Sequence, residues 1–384
     1  MSLHSSRLRA ARAPRPARGL AWPPAARALA LACVAALGSG CRAVDPLPKQ
    51  PALDLDALDG PSPADFSTES ALVAGLAGDM TALWDGGDDG ELAGVAGVPV
   101  RYHRVLAPAE RGAVVVLPGR TEAARKYIEV AFDLVGQGYS VYVLDHRGQG
   151  ASGRMLPDVE AGYVEYFSDY VSDLELLVDT VVEPAGHERL YLLAHSMGGA
   201  VAALYLDRHP DAVRAAALSA PMFDIDTGAF PGVIAGSISG SACSVGAGTG
   251  YAAGQGPYAE EGSVAESEVT HSEARWQAKL DLYRDRPELR LGGATYRWVC
   301  ESLQAASAVQ GLGPYTRTPT LLLQAGADTV VPPGGQDRYC ADARRCQVER
   351  FEGAFHEVLM ETDDIRNVAL AYAARFFRHF EEAP

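Results

Sequence analysis

Arg189-Leu190-Tyr191-Leu192-Leu193-Ala194-His195-Ser196-Met197-Gly198-Gly199-Ala200-Val201-Ala202-Ala203-Leu204-Tyr205-Leu206 is the stretch that decides the fold. The apolar run 189–193 reads as a short interior strand and 200–206 as the helix behind it, with one serine seated between them. The chain must reverse sharply there, and the residues flanking Ser196 need almost no side chain, which Ala194 and Gly198 satisfy. The hydroxyl then stands at the carboxyl edge of a sheet, above a helix amino terminus that favours negative charge. Alanine at 194 replaces the glycine that opens the usual Gly-x-Ser-x-Gly. An ordinary strand-to-helix turn would look similar over six residues, so the rest of the chain has to decide.

Further strands are read at 98–106, 113–117, 140–144, 215–218, 320–324 and 347–351. Most are continuous apolar runs, the pattern of parallel strands covered on both faces. Tyr170, Leu174, Leu177, Val178 and Val181 repeat at helical spacing, as do Ile365, Val368, Ala369, Tyr372 and Phe376. Thr362 before Asp363 and Asp364 caps the second of these helices. A peripheral amphipathic helix is read at 71–84 and a polar turn at 85–90. Strand–helix alternation predicts an α/β fold with a mostly parallel, doubly wound sheet.

One long stretch, 221–314, breaks the rhythm and sits over the carboxyl edge of the sheet, where Ser196 stands. It is read as a cap whose Gly, Ala and Ser-rich half (231–256) is mobile and whose later half carries helices at 272–284 and 294–310. The core is then 66–220 with 315–384.

At 384 residues and 48% hydrophobic, the chain can bury a large core. Its formal charge of −16 and the lack of a basic stripe exclude nucleic acid as a ligand class. The first forty residues differ from the rest: six arginines, no acids, then the apolar run 28–37. That run is short of the roughly 20 apolar residues that span a bilayer, and residues 1–41 read as a signal peptide. Gly38-Ser39-Gly40-Cys41 resembles the processing site of a bacterial lipoprotein, with Leu37 one place further from the cysteine than usual. A cleaved signal without lipid and an uncleaved anchor are the alternatives. Cleavage would bring the mature charge to roughly −22, a body that anionic lipid repels, so tethering would come from acyl chains on Cys41 through the Pro-rich linker 42–65. The expected location is a membrane-anchored lipoprotein facing the periplasm or cell surface. Cysteine use agrees with export: Cys243, Cys300, Cys340 and Cys346 would remain, as Cys340–Cys346 and Cys243–Cys300 disulfides or as four thiols. No cysteine spacing resembles a zinc site, and the reading needs no metal or cofactor.

Serine is a weak nucleophile unless a histidine takes its proton and a carboxylate holds that histidine. Asp328 follows the strand at 320–324, and His356 follows the strand at 347–351, which gives the order serine, acid, histidine. Asp224, after the strand at 215–218, is a second candidate for the acid. His195 is read as pointing away from the serine in a structural role, and His103, His187 and His271 as surface or cap residues. Two backbone N–H groups should hold the oxyanion: that of Met197, and that of Arg120 in the turn Pro118-Gly119-Arg120-Thr121.

Pro118-Gly119-Arg120, Asp145-His146-Arg147-Gly148-Gln149-Gly150-Ala151-Ser152-Gly153-Arg154, Ala194 to Gly199, Ala220-Pro221-Met222-Phe223, Gly292-Gly293-Ala294-Thr295-Tyr296-Arg297-Trp298 and His356-Glu357-Val358-Leu359 occur in that order. Over roughly 93–380 the chain resembles the bacterial lysophospholipase branch of the α/β-hydrolases, close to the monoglyceride lipases. The resemblance implies an esterase on a single-chain acyl glycerol lipid, a lysophospholipid or a monoacylglycerol, with Ser196, Asp328 and His356 as its triad. It also implies that Asp145 and Arg147 brace the loop beside the serine. An amidase related to the serine aminopeptidases would need acids for a substrate amine, for which Glu260, Glu261 and Glu266 are candidates. An acyltransferase, or an inert binding lipoprotein, completes the alternatives.

Overall fold

The computed structural model describes residues 49–225 and 248–381. Residues 1–41 with Cys41, the partner cysteine Cys243 and most of the glycine-rich stretch therefore lie outside the described residues.

Strands β1 (Asp88–Ala93), β2 (Pro99–Val105), β3 (Gly112–Leu117), β4 (Tyr139–Leu144), β5 (Leu190–His195), β6 (Ala215–Ser219), β7 (Thr320–Ala325) and β8 (Cys346–Phe351) form a single sheet in the order β1-β2-β4-β3-β5-β6-β7-β8. From β4 to β8 every neighbouring pair is parallel, while β1 and β2 add an antiparallel edge. The five strands β3 to β7 are buried at every position. Their unbroken apolar sequences follow from that two-sided burial.

The helices are α1 (Glu69–Leu76), α2 (Asp79–Asp85), α3 (Ile128–Gly136), α4 (Ser168–Leu177), α5 (Met197–Arg208), α6 (Glu273–Asp285), α7 (Tyr296–Gln310), α8 (Gly334–Asp342) and α9 (Asp363–His379). The period-two alternation of the strands sends Val115, Leu117 and Leu192 into a core with Leu174 of α4 and Val201 of α5. Val114, Val116 and Leu193 go into the opposite core with Leu134 of α3 and Phe377 of α9. Helices α6 and α7 come from the insertion between β6 and β7, capped by Ser272 and Thr295, whose side chains accept the N–H groups of Arg275 and Trp298.

Three expectations about elements of the chain are corrected. The turn at 85–90 runs into strand β1, whose Asp-Asp-Gly-Glu sequence has no strand signature because its outer edge faces water; Gly90 lacks the Cβ that would overlap the Tyr102 ring. The helix read at 71–84 breaks at Gly78 into α1 and α2. The described part of the linker is no spacer. Leu55 is buried, Leu53 exchanges two hydrogen bonds with the Gln347 side chain, and Arg375 of α9 donates to the carbonyls of Pro61 and Leu55.

His103, read as a surface residue, is buried, stacked 3.9 Å from Trp84, with Nδ1 2.7 Å from Asp89. Cys340 and Cys346 are disulfide-bonded across the turn from α8 into β8.

Candidate active site

Ser196 is the hinge between β5 and α5, and its backbone is strained, with φ 50° and ψ −119°. Such a conformation costs on the order of 1–3 kcal/mol and persists only where the surroundings hold it. Here Ser196 N–H donates to Ser219 O at 3.0 Å, and Met222 N–H donates back to Ser196 O at 2.9 Å, so the turn is fastened to the end of β6 and to the loop that follows it. The paired glycines answer to close approaches. A Cβ at Gly198 would come within 2.3 Å of Leu117 O, and one at Gly199 within 2.5 Å of Pro221 Cβ. Position 194 has no such contact to avoid: the Ala194 methyl packs among core residues with Leu117, Met197 and Leu218.

Asp328 and His356 arrive on the loops after β7 and β8, at the same carboxyl edge. His356 Nε2 lies 2.9 Å from Ser196 Oγ, and His356 Nδ1 lies 2.7 Å from Asp328 Oδ2. Asp328 Oδ1 accepts the N–H groups of Val330 and Val331 at 2.8 and 2.9 Å. Burial pushes the Asp328 carboxyl up, but the hydrogen bond and charge of His356, with those two N–H groups, hold it below its ordinary value. An ionised carboxylate only accepts, so Nδ1 must carry the proton and Nε2 is left to accept the serine hydroxyl. Asp224 does not reach His356; its carboxylate lies 3.2 Å from Arg338.

His195 does not point away. The strand period places it on the Leu193 side of the sheet, and its ring centre comes to 4.8 Å from that of His356. Burial, only partly opposed by the charge of Glu122, lowers His195 to about 4, so the ring beside His356 is neutral.

The turn after β3 is held by two side chains that sequence reasoning missed. Gly119 N–H donates to Glu122 Oε2. The Gln149 amide donates to Gly119 O at 2.7 Å and to Glu122 O at 2.8 Å. The peptide is trans, so the N–H of Arg120 faces away from Gln149. Space is tight here: a Cβ at Gly119 would lie 2.9 Å from the His195 ring and 3.2 Å from Ser196 Cβ. Met197, the first residue of α5, has an N–H that helix geometry leaves without an intrahelical partner.

Behind the turn lies a buried charged group. Lys126 Nζ sits 2.6 Å from Glu122 Oε1 and 2.7 Å from Glu357 Oε2, and Tyr127 donates to Glu122 Oε2 at 2.7 Å. Burial pushes the Glu122 carboxyl up, but the charge of Lys126 and the hydrogen bonds from Lys126 and Tyr127 bring it down to about 2. Burial lowers the Lys126 ammonium, yet Glu122 and Glu357 together carry it well above its ordinary value. The only signal for this group in the sequence was the i, i+4 spacing of Glu122 and Lys126, which reads equally as a solvated helix pair.

Asp145 and Arg147 brace the neighbouring loop as the resemblance implied. Asp145 accepts the N–H groups of Ala124 and Ala151 at 2.7 and 3.0 Å, and Arg147 makes a two-pronged contact with Asp173 at 2.6 Å for each prong.

Ser196 and His356 open into a cavity of about 890 Å³ between sheet edge and cap. Met222, Leu280, Leu291, Trp298 and Val331 give it apolar walls. Tyr283 of α6 fastens cap to turn, donating to Thr121 O at 3.0 Å and accepting Ala123 N–H at 3.2 Å. Glu260 and Glu261 do not converge on the cavity as an unpaired acidic site: Glu260 is paired with Arg284 at 2.7 Å, and Glu261 with Lys279. Among the described residues no group of three His, Cys, Asp or Glu side chains is placed to hold a metal ion.

Residues 108–363 match the family model described as serine aminopeptidase, S33. Lysophospholipase L2 of Escherichia coli (strain K12) is 41% identical over 320 residues, covering 81% of this chain and 94% of that protein. A Haemophilus influenzae protein described as "Probable lysophospholipase L2" is 30% identical over 288 residues, covering 74% and 90%. Among solved structures, a soluble variant of monoglyceride lipase from Saccharomyces cerevisiae, in complex with a substrate analog, superposes with a TM-score of 0.60 at 18% identity, covering 74% of this chain and 92% of that one. That likeness is one of fold.

Proposed function

The chain belongs to the serine aminopeptidase S33 family and is a carboxylic ester hydrolase of the α/β-hydrolase fold, and we propose that it hydrolyses the ester of a single-chain acyl glycerol lipid through Ser196, His356 and Asp328. The observation that carries this reading is the continuous hydrogen-bonded line from Asp328 through His356 to Ser196, ending in an apolar-walled cavity.

His356 Nε2 takes the hydroxyl proton as Ser196 Oγ attacks the ester carbonyl carbon. Asp328 holds the ring in the required tautomer and stabilises the imidazolium. The carbonyl oxygen, now an anion, is held by the N–H groups of Arg120 and Met197. The carbon–oxygen bond to glycerol then breaks, and His356 hands its proton to the departing alkoxide. Water enters, gives a proton to His356 and attacks the acyl-enzyme; collapse releases the fatty acid and restores Ser196.

The relatives named as lysophospholipases favour an ester over an amide, and the pairing of Glu260 and Glu261 with cap cations leaves them neutralised for a substrate amine. A panel of lysophospholipids, monoacylglycerols, short aryl esters and aminoacyl amides, run on wild type and Ser196→Ala, tests the reading. Ester turnover that falls by several orders of magnitude in the variant supports it. Undiminished turnover by pure Ser196→Ala protein would sink it. Export and acylation of Cys41 are proposed on the sequence of residues 1–41 alone, and mass spectrometry of the mature amino terminus tests them.

A further inference from the structure

Four buried cations in this protein are matched by carboxylates. Arg147 sits 2.6 Å from Asp173, Arg275 2.9 Å from Glu129, Arg366 2.7 Å from Asp133 and Lys126 2.6 Å from Glu122. Arg120 departs from the pattern. Among the described residues no carboxylate oxygen lies within ion-pair distance of it. Its Nη2 donates to Gly292 O at 2.8 Å, its guanidinium carbon stands 4.9 Å from the centre of the Trp298 ring, and its Nε is buried with no hydrogen-bond partner among the described residues.

Arg120, Gly292 and Trp298 all line the cavity that holds Ser196 and His356. A buried charge without a counter-charge is costly, and a carbonyl oxygen and an indole face compensate it only in part. Burial, opposed by the Tyr170 hydroxyl but by no carboxylate, pulls the guanidinium down to about 10, so it remains a cation at neutral pH. The chain carries 49 acidic residues; among the described residues that line the Ser196 cavity, Lys126 and Lys279 have carboxylate partners and Arg120 has none. The missing counter-charge is therefore one that a ligand can bring.

We infer that the Arg120 side chain is an anion subsite for the phosphate group of the substrate, so that the enzyme favours a lysophospholipid over a monoacylglycerol of the same chain length. This rests on the ester-hydrolase reading above and deepens it. In a lysophospholipid the phosphate is joined to the far side of the glycerol that carries the ester. Arg120 follows Gly119, which packs against Ser196, so ester and phosphate can be engaged from one turn. A guanidinium offers paired N–H donors that match two phosphate oxygens.

The test is the ratio of kcat/KM for lysophosphatidylglycerol to that for the monoacylglycerol with the same acyl chain. Arg120→Met should lower this ratio at least tenfold, mainly through KM, and Arg120→Lys should restore part of it. Damage to the oxyanion turn would lower both substrates together and leave the ratio unchanged. An unchanged ratio in folded Arg120→Met therefore overturns the inference.

Binding of alkyl-ether analogues, which cannot be hydrolysed, gives a second measurement on the wild type. Calorimetry should show the phosphate-bearing ether binding at least tenfold more tightly than the alkylglycerol, with inorganic phosphate alone as the control for a site that takes any phosphate. Equal affinity of the two ethers overturns the inference even if no variant folds. Tighter binding of the phosphate ether with no turnover of any ester would keep the subsite and discard the hydrolase reading.

Discussion

Glu122 accepts the backbone N–H of Gly119, so a buried carboxylate held by Lys126 fixes the peptide next to Ser196. Gln149 holds the following peptide, the one that carries the Arg120 N–H, through Gly119 O. Removing one direct oxyanion donor typically costs about 10²–10³ in kcat, and loosening the peptide that presents it should cost less, roughly tenfold to a hundredfold. Glu122→Ala and Gln149→Ala are each expected to lower kcat by that amount with little change in KM. Because the two side chains clamp the peptides on either side of Gly119, and Gln149 also donates to Glu122 O, the double variant should fall short of the product of the two losses. Full additivity in a kinetic double-mutant cycle would argue that they act separately.

Asp328 and Asp224 are separated by geometry. Asp328 Oδ2 lies 2.7 Å from His356, whereas Asp224 is turned to Arg338. Asp328→Asn should reduce kcat by about 10⁴, as loss of the correct histidine tautomer does elsewhere. Asp224→Asn should stay within a few-fold of wild type. Steady-state assays on the two asparagine variants decide it, and the reverse ranking would move the acid to the loop after β6.

Two buried histidines set an acid limit on stability. Burial lowers His146 and His195 from 6.5 to about 4. Between those values the unfolded chain binds more protons than the folded one, so stability is present above about 6.5 and is lost as pH falls toward 4. At about 1.4 kcal/mol per pKa unit, each contributes on the order of 3 kcal/mol. Asp145 works the other way, since burial raises it from 3.8 to about 6 and its protonation returns stability over much of the same range. Burial raises Asp169, Asp173 and Glu301 as well, so substitution isolates the part that the histidines play. Between about pH 7 and about pH 4.5 the urea midpoint of wild type should lose ground relative to that of His146→Gln or His195→Gln, and an identical pH dependence would contradict the assignment of these two rings as buried and neutral.

What could be read in the sequence followed from burial. Strands β3 to β7 are covered on both faces, and their apolar runs announced them within a residue or two. Strand β1 could not be found that way, because one sheet edge faces water and its side chains are mostly charged. The positions of Ser196, Asp328 and His356 were legible because each follows a recognisable strand. Their supports were not. Gln149 and Glu122 act through contacts 30 and 3 residues away, and Glu122, Lys126 and Glu357 look like surface charges until the fold encloses them. Whether a charge is solvated or buried depends on what packs over it, and here that cover includes Tyr283 from an insertion about 160 residues along the chain.

Tyr283 supplies the polar latch between α6 and the turn after β3. It donates to Thr121 O and accepts from Ala123 N–H, and Ala123 is fully buried. Tyr283→Phe keeps the ring in its contacts with Ala123 and Leu289 but leaves the partly buried Thr121 carbonyl and the buried Ala123 N–H without this partner. An orphaned buried polar group costs about 1–3 kcal/mol. The cost falls on the closed arrangement of cap and turn, so two effects are expected: a Tm lowered by several degrees, and a KM for ester raised several-fold as the cavity wall loosens. The chemical step should suffer less, because Glu122 and Gln149 still hold Gly119. Thermal unfolding and steady-state kinetics on the same preparation test both expectations. A kcat loss as large as that of Glu122→Ala, with KM unchanged, would instead make Tyr283 part of the clamp on the peptide beside Ser196.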